Sequence, residues 1–234
     1  MTLNYITHGL YTIGTNRQLT LRHLDQLAGG FQSSDRAAVG TLGGRRSITR
    51  LHLDTIGPVI IKHFCRGGLL AHLVHRTYFR VGKTRGQGEF EQMVRFRQFG
   101  VQTPDPVAFA YKGGLFYTTW LVTQEIQSVQ SMAQLSRTAP HRVAQALGEL
   151  ARQVAILIDH GVLHADFHPG NVLIDDQDHV YVIDLDKART FSGSQAKLRS
   201  RYHRRWCRAV RKHGLPAALC EFPADDQLAS YGKT

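Results

Sequence analysis

Four side chains that could do chemistry fall in one stretch, Val162 to Asp184, VLHADFHPGNVLIDDQDHVYVID. His164 and Asp166 are spaced H-x-D, and Asn171 follows five residues after the aspartate. An apolar strand is predicted over Val172 to Ile174, a polar turn over Asp175 to His179, and a β-branched strand over Val180 to Ile183 that ends on Asp184. The resulting hairpin carries a carboxylate and an amide at one end and returns a second carboxylate beside them. Two hard oxygen ligands and a further carboxylate in one corner suit Mg²⁺ held against substrate phosphates.

The pattern H-x-D-x-x-x-x-N, followed by Asp after a strand–turn–strand, resembles the protein-kinase-like superfamily. That resemblance implies a source for the remaining parts of a phosphotransfer site, where positioning and charge neutralisation do most of the work. Val59-Ile60-Ile61-Lys62 matches the strand that ends on a phosphate-binding lysine. Its glutamate partner belongs on a helix 20–30 residues on. Glu89, Met93 and Phe96, with Gly100 as the stop, give that helix. Glu91 competes with Glu89 but is out of phase with the apolar positions. Gly40, Gly43 and Gly44 form a glycine-rich connection whose N–H groups can approach phosphate oxygens. Its G-x-x-G-G spacing also suits a plain hairpin. On this reading Asp166 is the catalytic carboxylate, and Asn171 and Asp184 hold Mg²⁺. Lys62 and Glu89, with the glycines, hold the ATP phosphates, while the backbone at Glu125 and Ile126, a hinge by position, meets the adenine edge. His164 fixes the loop, and His168 either contacts phosphate or orders the loop.

The elements that position these residues read as α+β. The first 35 residues are weakly patterned, with Leu21, Leu24 and Leu27 suggesting a turn or two of helix closed by Gly29-Gly30. β signals run from Arg36 to Phe64, including Ser47 to Leu53, and a hairpin is predicted over Val107 to Val122 with its turn at Lys112-Gly113-Gly114. His141 to His160 is the clearest helix, capped by Gly161. His72 and His75 sit three apart, but a solvent-facing helix explains them better than a metal does. Gln195 to His213 reads as a last helix in which Leu198, Tyr202, Trp206 and Val210 form a stripe among basic residues. The stripe is expected to pack on the protein with the arginines solvated, or to set its aromatics at a membrane interface, and the two readings can coexist.

The chain has 234 residues, 42% hydrophobic and 20% charged, as expected of a soluble globular protein. No apolar run is long enough to cross a bilayer, and the opening residues do not resemble a secretory leader. Cys65, Cys207 and Cys220 are expected to be reduced thiols in the cytoplasm. A net charge of +11 calls for an anionic partner. No acidic residue occurs from Ser192 to Leu219, where Lys197, Arg199, Arg201, Arg204, Arg205, Arg208, Arg211 and Lys212 fall.

A narrower likeness covers residues 36–213. Arg66-Gly67-Gly68-Leu69, Tyr78, Arg85, Gly100-Val101-x-x-Pro104-x-Pro106, Asp184-Leu185-Asp186-Lys187-x-Arg189 and the basic helix are similar to the lipopolysaccharide core-sugar kinases, the Kdo (3-deoxy-D-manno-octulosonic acid) and heptose kinases. The resemblance implies a two-lobed protein-kinase-like fold: an extension over 1–35, a small β-rich lobe over 36–123, and a short, mostly helical lobe over 124–234 with the basic helix at about 195–213. It implies ATP and Mg²⁺ as cofactors and transfer to a Kdo hydroxyl of the lipid A precursor at the cytoplasmic face of the inner membrane. Anionic glycolipid and the membrane surface are then the partners, with nucleic acid as the competitor. His168, Asp186, Lys187 and Arg189 are candidate substrate contacts. The alternatives are a core heptose kinase, an aminoglycoside-type small-molecule kinase (the HPGN loop is shared with these), an RNA-associated atypical RIO-like kinase, and a membrane-bound pseudokinase. The absence of an activation segment and of Ala-Pro-Glu after Asp184 argues against a protein substrate.

Overall fold

The structure is a computed structural model that describes residues 2–37, 48–64, 78–80 and 82–221. It is α+β and divides into two compact units. The first comprises residues 1–91 and 105–125, and the second residues 92–104 and 126–234.

The first unit is built on an antiparallel sheet. Its strands are β1 (Asn4–His8), β2 (Tyr11–Thr15), β3 (Ile48–Leu53), β4 (Gly57–His63), β5 (Tyr78–Phe79), β6 (Pro106–Gly113) and β7 (Phe116–Gln124). Among the described residues their order is β1-β2-β6-β7-β4-β3, with β5 beside β7. Helix α1 (Leu21–Ala37) lies on one face, where Leu24, Leu27 and Phe31 join Tyr11, Ile13, Val59, Ile61 and Trp120 in the core. The indole N–H of Trp120 donates to Ser34 Oγ at 2.8 Å.

Two expectations for the beginning of the chain are corrected. The helix does not close at Gly29-Gly30 but runs through them to Ala37, so Ala37 is helical rather than extended. Gly30 stands where a Cβ would come within 2.4 Å of Ile61 Cδ1, so the glycine lets the helix approach the sheet rather than ending it. The first 35 residues also contribute two strands, β1 and β2, to the sheet. Gly14 pairs with Phe109 across β2 and β6, and a Cβ on Gly14 would strike the Phe109 ring.

Strand alternation decides where Lys62 points. In β4, Val59, Ile61 and His63 are buried, whereas Ile60 and Lys62 are partly exposed. Successive side chains of a strand face opposite sides. With Ile61 directed at α1, Lys62 is directed at the other face of the sheet. Helix α2 (Arg85–Phe99) contributes its first half to this unit, where Phe90 packs edge-on against Phe109 at 5.4 Å.

The second half of α2 and the segment to Pro104 belong to the second unit, which departs from a division at residues 123 and 124. The reason is local packing. Phe99 stacks on His160 with ring centroids 3.6 Å apart. The Gln102 N–H donates to the Gln153 side chain, and the Gln102 carbonyl accepts from Val182.

Strand β8 (Gln130–Ser131) leads into α3 (Met132–Thr138), whose N-terminus is closed by a capping box of Ser131 and Gln134. Helix α4 (Pro140–Asp159) buries Val143, Leu150, Val154 and Leu157, and Gly161 follows at φ +60°. Strand β9 (Val162–Leu163) pairs with β12 (Arg189–Thr190), and β10 (Val172–Ile174) with β11 (Val180–Val182) and β8. Helix α5 (Gln195–Lys212) starts on Ser194, whose side chain accepts from the Lys197 N–H. Among the described residues no helix is long and apolar enough to cross a membrane.

Candidate active site

In the second unit the loop between β9 and β10 is held by groups that leave the Asp166 carboxylate outward. His164 is fully buried, and burial drives its pKa down, so the ring is neutral. Its Nδ1 accepts from the Asp166 N–H at 3.1 Å. Nε2 must therefore carry the proton, which it donates to the Ile183 carbonyl at 3.0 Å. One ring thus spans the loop and the residue before Asp184. Asn171 completes the tie: its Nδ2 donates to the Asp166 carbonyl at 2.9 Å, and its own carbonyl accepts from the Ile183 N–H at 3.0 Å.

These bonds tie the Asp166 loop and Asn171 to Ile183, the residue just before Asp184. The Asp166 side chain keeps 42% of its surface exposed, with His168 Nε2 4.0 Å from its carboxylate. His168 Nδ1 accepts from the Gly170 N–H, so the ring orders the 3₁₀ turn Pro169–Asn171. Asp184 is buried and has φ +65°, a left-handed conformation that non-glycine residues adopt at a cost of about 1–3 kcal/mol. Strain of that kind concentrates at functional positions. The donor set fits a hard divalent cation. With its Nδ2 committed to Asp166, Asn171 presents its amide oxygen, and Asp184 adds a carboxylate.

Helix α5 supports the loop from behind. The Tyr202 hydroxyl donates to the Val162 carbonyl and accepts from the His164 N–H, both at 2.9 Å. Its burial pushes that hydroxyl's pKa well up, which keeps it a neutral donor. Phe167 packs edge-on to Tyr202 at 5.2 Å and against Trp206 at 5.0 Å. The Arg205 guanidinium donates to the Ala165 carbonyl. Tyr202 and Trp206 are both 0% exposed, which corrects the idea that these aromatics meet a membrane interface: their stripe is spent holding the loop. Sequence alone does not mark Tyr202, Arg205 and Phe167 as supports of the loop. The four-residue stripe shows that α5 buries one face, but its spacing says nothing of which loop that face covers.

Beyond Asp184 the chain turns at Asp186 and Lys187, and Arg189 pairs with Leu163 at the entrance to the loop. Lys187 and Arg189 are exposed, and Asp186 is half-buried.

In the first unit Lys62 Nζ lies 2.5 Å from Glu89 Oε2, with the two side chains 15% and 3% exposed. Glu91 is engaged elsewhere, with Lys83 at 2.5 Å and with Gln87 at 3.0 Å. Lys62 Nζ also lies over the Phe64 ring at 4.8 Å, and the Arg85 guanidinium over the same ring at 5.4 Å. Glu125 gives its N–H to the Pro58 carbonyl and its carboxylate to Arg50, so that N–H is not offered to a base. Ile126 is half-buried at the start of the second unit. Gly40, Gly43, Gly44, Cys65, Arg66 to Leu69, His72 and His75 lie outside the described residues.

Residues 31–217 match the model of the lipopolysaccharide kinase (Kdo/WaaP) family. The chain belongs to that family. It is 32% identical over 164 residues to a 3-deoxy-D-manno-octulosonic acid kinase of Vibrio parahaemolyticus, covering 68% of this chain and 67% of the relative. With the enzyme of that name from Photobacterium profundum it shares 31% over 192 residues, 79% and 80% of the two chains. With that of Vibrio cholerae it shares 31% over 198 residues, 82% and 83%. The chain is therefore a kinase, and the family match runs through both the Lys62 strand and the Asp166 loop.

Proposed function

We propose that this lipopolysaccharide kinase transfers the γ-phosphoryl group of ATP to a hydroxyl of Kdo on the lipid A precursor, at the cytoplasmic face of the inner membrane. The observation that supports this chemistry best is the loop lattice, in which His164 and Asn171 hold Asp166 by its backbone and leave its carboxylate outward. The Kdo acceptor follows the names of the relatives.

In this reading Asp166 orients the acceptor hydroxyl and takes its proton as the new oxygen–phosphorus bond forms and the bond to ADP breaks. Asn171 and Asp184 would hold Mg²⁺, which neutralises charge on the phosphates when bound. Lys62, kept in place by Glu89, holds the α/β-phosphates. Lys187 and Arg189 meet acidic groups of the acceptor, and Asp186 and His168 are further acceptor contacts.

The test is phosphate transfer from ATP, with and without Mg²⁺, to three acceptors: Kdo–lipid A precursor, heptosylated core and an aminoglycoside. Transfer to the first is expected. Transfer to the heptosylated core alone makes this a heptose kinase, and transfer to the aminoglycoside alone overturns the glycolipid reading.

A further inference from the structure

Helix α5 has a second face that the loop does not use. Lys197, Arg201, Arg204, Arg208 and Arg211 follow one another by four, three, four and three positions. At about 100° per residue, that spacing keeps all five on one side of the helix, opposite the buried line Leu198, Tyr202, Trp206 and Val210. All five are exposed. Among the described residues none of them makes an ion pair, and the sequence supplies no acidic residue from Ser192 to Leu219 to neutralise them. The ridge is about 21 Å long at 1.5 Å per residue. Beside it an open groove of about 690 Å³ is lined by Phe191, Ala196, Lys197, Ser200, Arg201 and Arg204. Cations thus rim an apolar floor, an arrangement suited to a phosphodiester headgroup with its glycerol base.

We infer that this outward ridge of α5 is the surface by which the kinase docks on an anionic phospholipid bilayer. Five unneutralised cations in a straight row match a plane of lipid phosphates. With Tyr202 and Trp206 spent inside, attachment is electrostatic rather than by insertion of aromatics. Arg205 and Arg199 take no part: Arg205 is turned to Ala165, and the Nε of Arg199 is buried. The choice of a bilayer over a nucleic acid rests on the glycolipid acceptor proposed above; the ridge itself does not.

Each cation near an anionic surface is worth about a fivefold change in partition. The experiment is sedimentation with vesicles of phosphatidylcholine alone or mixed with phosphatidylglycerol, without nucleotide or acceptor, so an inactive or differently specific enzyme does not affect it. The wild type should bind only the mixed vesicles. Binding should collapse as salt rises from about 0.1 M to about 1 M, where the screening length shortens from about 10 Å to about 3 Å. The triple variant R201Q/R204Q/R208Q should lose about 100-fold in partition while its unfolding midpoint stays that of the wild type. A control with equal charge loss, R80Q/R95Q/K112Q, should keep its binding. Equal loss by both triples would show that net charge alone acts and would overturn the assignment, as would absence of binding to the mixed vesicles. Displacement of the protein from vesicles by polyuridylate at equal phosphate would overturn the bilayer as the partner.

Discussion

Lys62 and Asp166 are positioned by opposite means. Lys62 is held by another charge: its ammonium is paired with the almost fully buried carboxylate of Glu89. Asp166 is held by its own backbone, through neutral His164 and the Asn171 amide, with α5 packed beneath. The difference suits the charges involved. A lysine on a strand can be steered by a buried counter-ion and still present its remaining N–H groups. A carboxylate that must take a proton loses that capacity when paired with a cation, and the two side chains that bond the Asp166 backbone, His164 and Asn171, are neutral. The first arrangement concentrates positioning in one ion pair, and the second distributes it over a packed loop.

If that contrast is sound, the largest expected separation is between Trp206→Ala and Glu89→Gln. Removing Trp206 empties the space beneath Phe167 and should cost about 3–5 kcal/mol of stability, measured by denaturant unfolding, with activity falling as the loop loosens. Glu89→Gln keeps shape and burial but removes the counter-charge. Turnover should fall by about 100-fold, the usual penalty for misplacing a group near the chemistry, with little change in unfolding midpoint. Similar losses of stability in both would erase the contrast.

Tyr202→Phe tests the loop more finely. It keeps the ring against Phe167 but removes both hydroxyl bonds, and should cost about 1–3 kcal/mol together with a fall in kcat. KM for ATP should change less than kcat, because the α/β-phosphates are proposed to be held by Lys62, outside this loop. A rise in that KM with kcat unchanged would mean that the loop contributes to nucleotide affinity instead.

The smallest effect is on pH. Burial lowers the pKa of His164 below its ordinary 6.5. A lowered histidine pKa means that the unfolded chain binds the proton more readily. Stability is therefore full above about pH 6.5 and declines as pH falls toward the folded-state value. Thermal unfolding between pH 7 and 5 should show this decline, and His164→Asn, though less stable throughout, should show a shallower one. Equal slopes would indicate that His164 is not the group responsible.

Much of this was legible in the sequence, because the informative signals are local. Phase along one helix separates Glu89 from Glu91. The β-branched run Val59-Ile60-Ile61 before Lys62 marks a strand, and the spacing from His164 to Asp184 marks the hairpin. What was not legible depends on contacts between segments distant in the chain. Gly29-Gly30 looks like a helix stop until Ile61 is seen against Gly30, where the missing Cβ permits close packing. The pairing of β2 with β6 joins residues about a hundred positions apart, and nothing in the weak pattern of the first 35 residues announces it. Tyr202 and Trp206 show the same limit: amphipathic spacing reveals a face to be covered, while an interior and a membrane surface both satisfy it.

The most direct test of the central claim, that Asp166 is the carboxylate serving the acceptor hydroxyl, is single-turnover phosphate transfer from ATP to Kdo–lipid A precursor by the wild type and by Asp166→Asn. Because the loop holds Asp166 through its backbone, the variant should fold and bind ATP as the wild type does, while transfer slows by about 10²–10⁴-fold. Transfer at the wild-type rate by the folded variant would contradict the account.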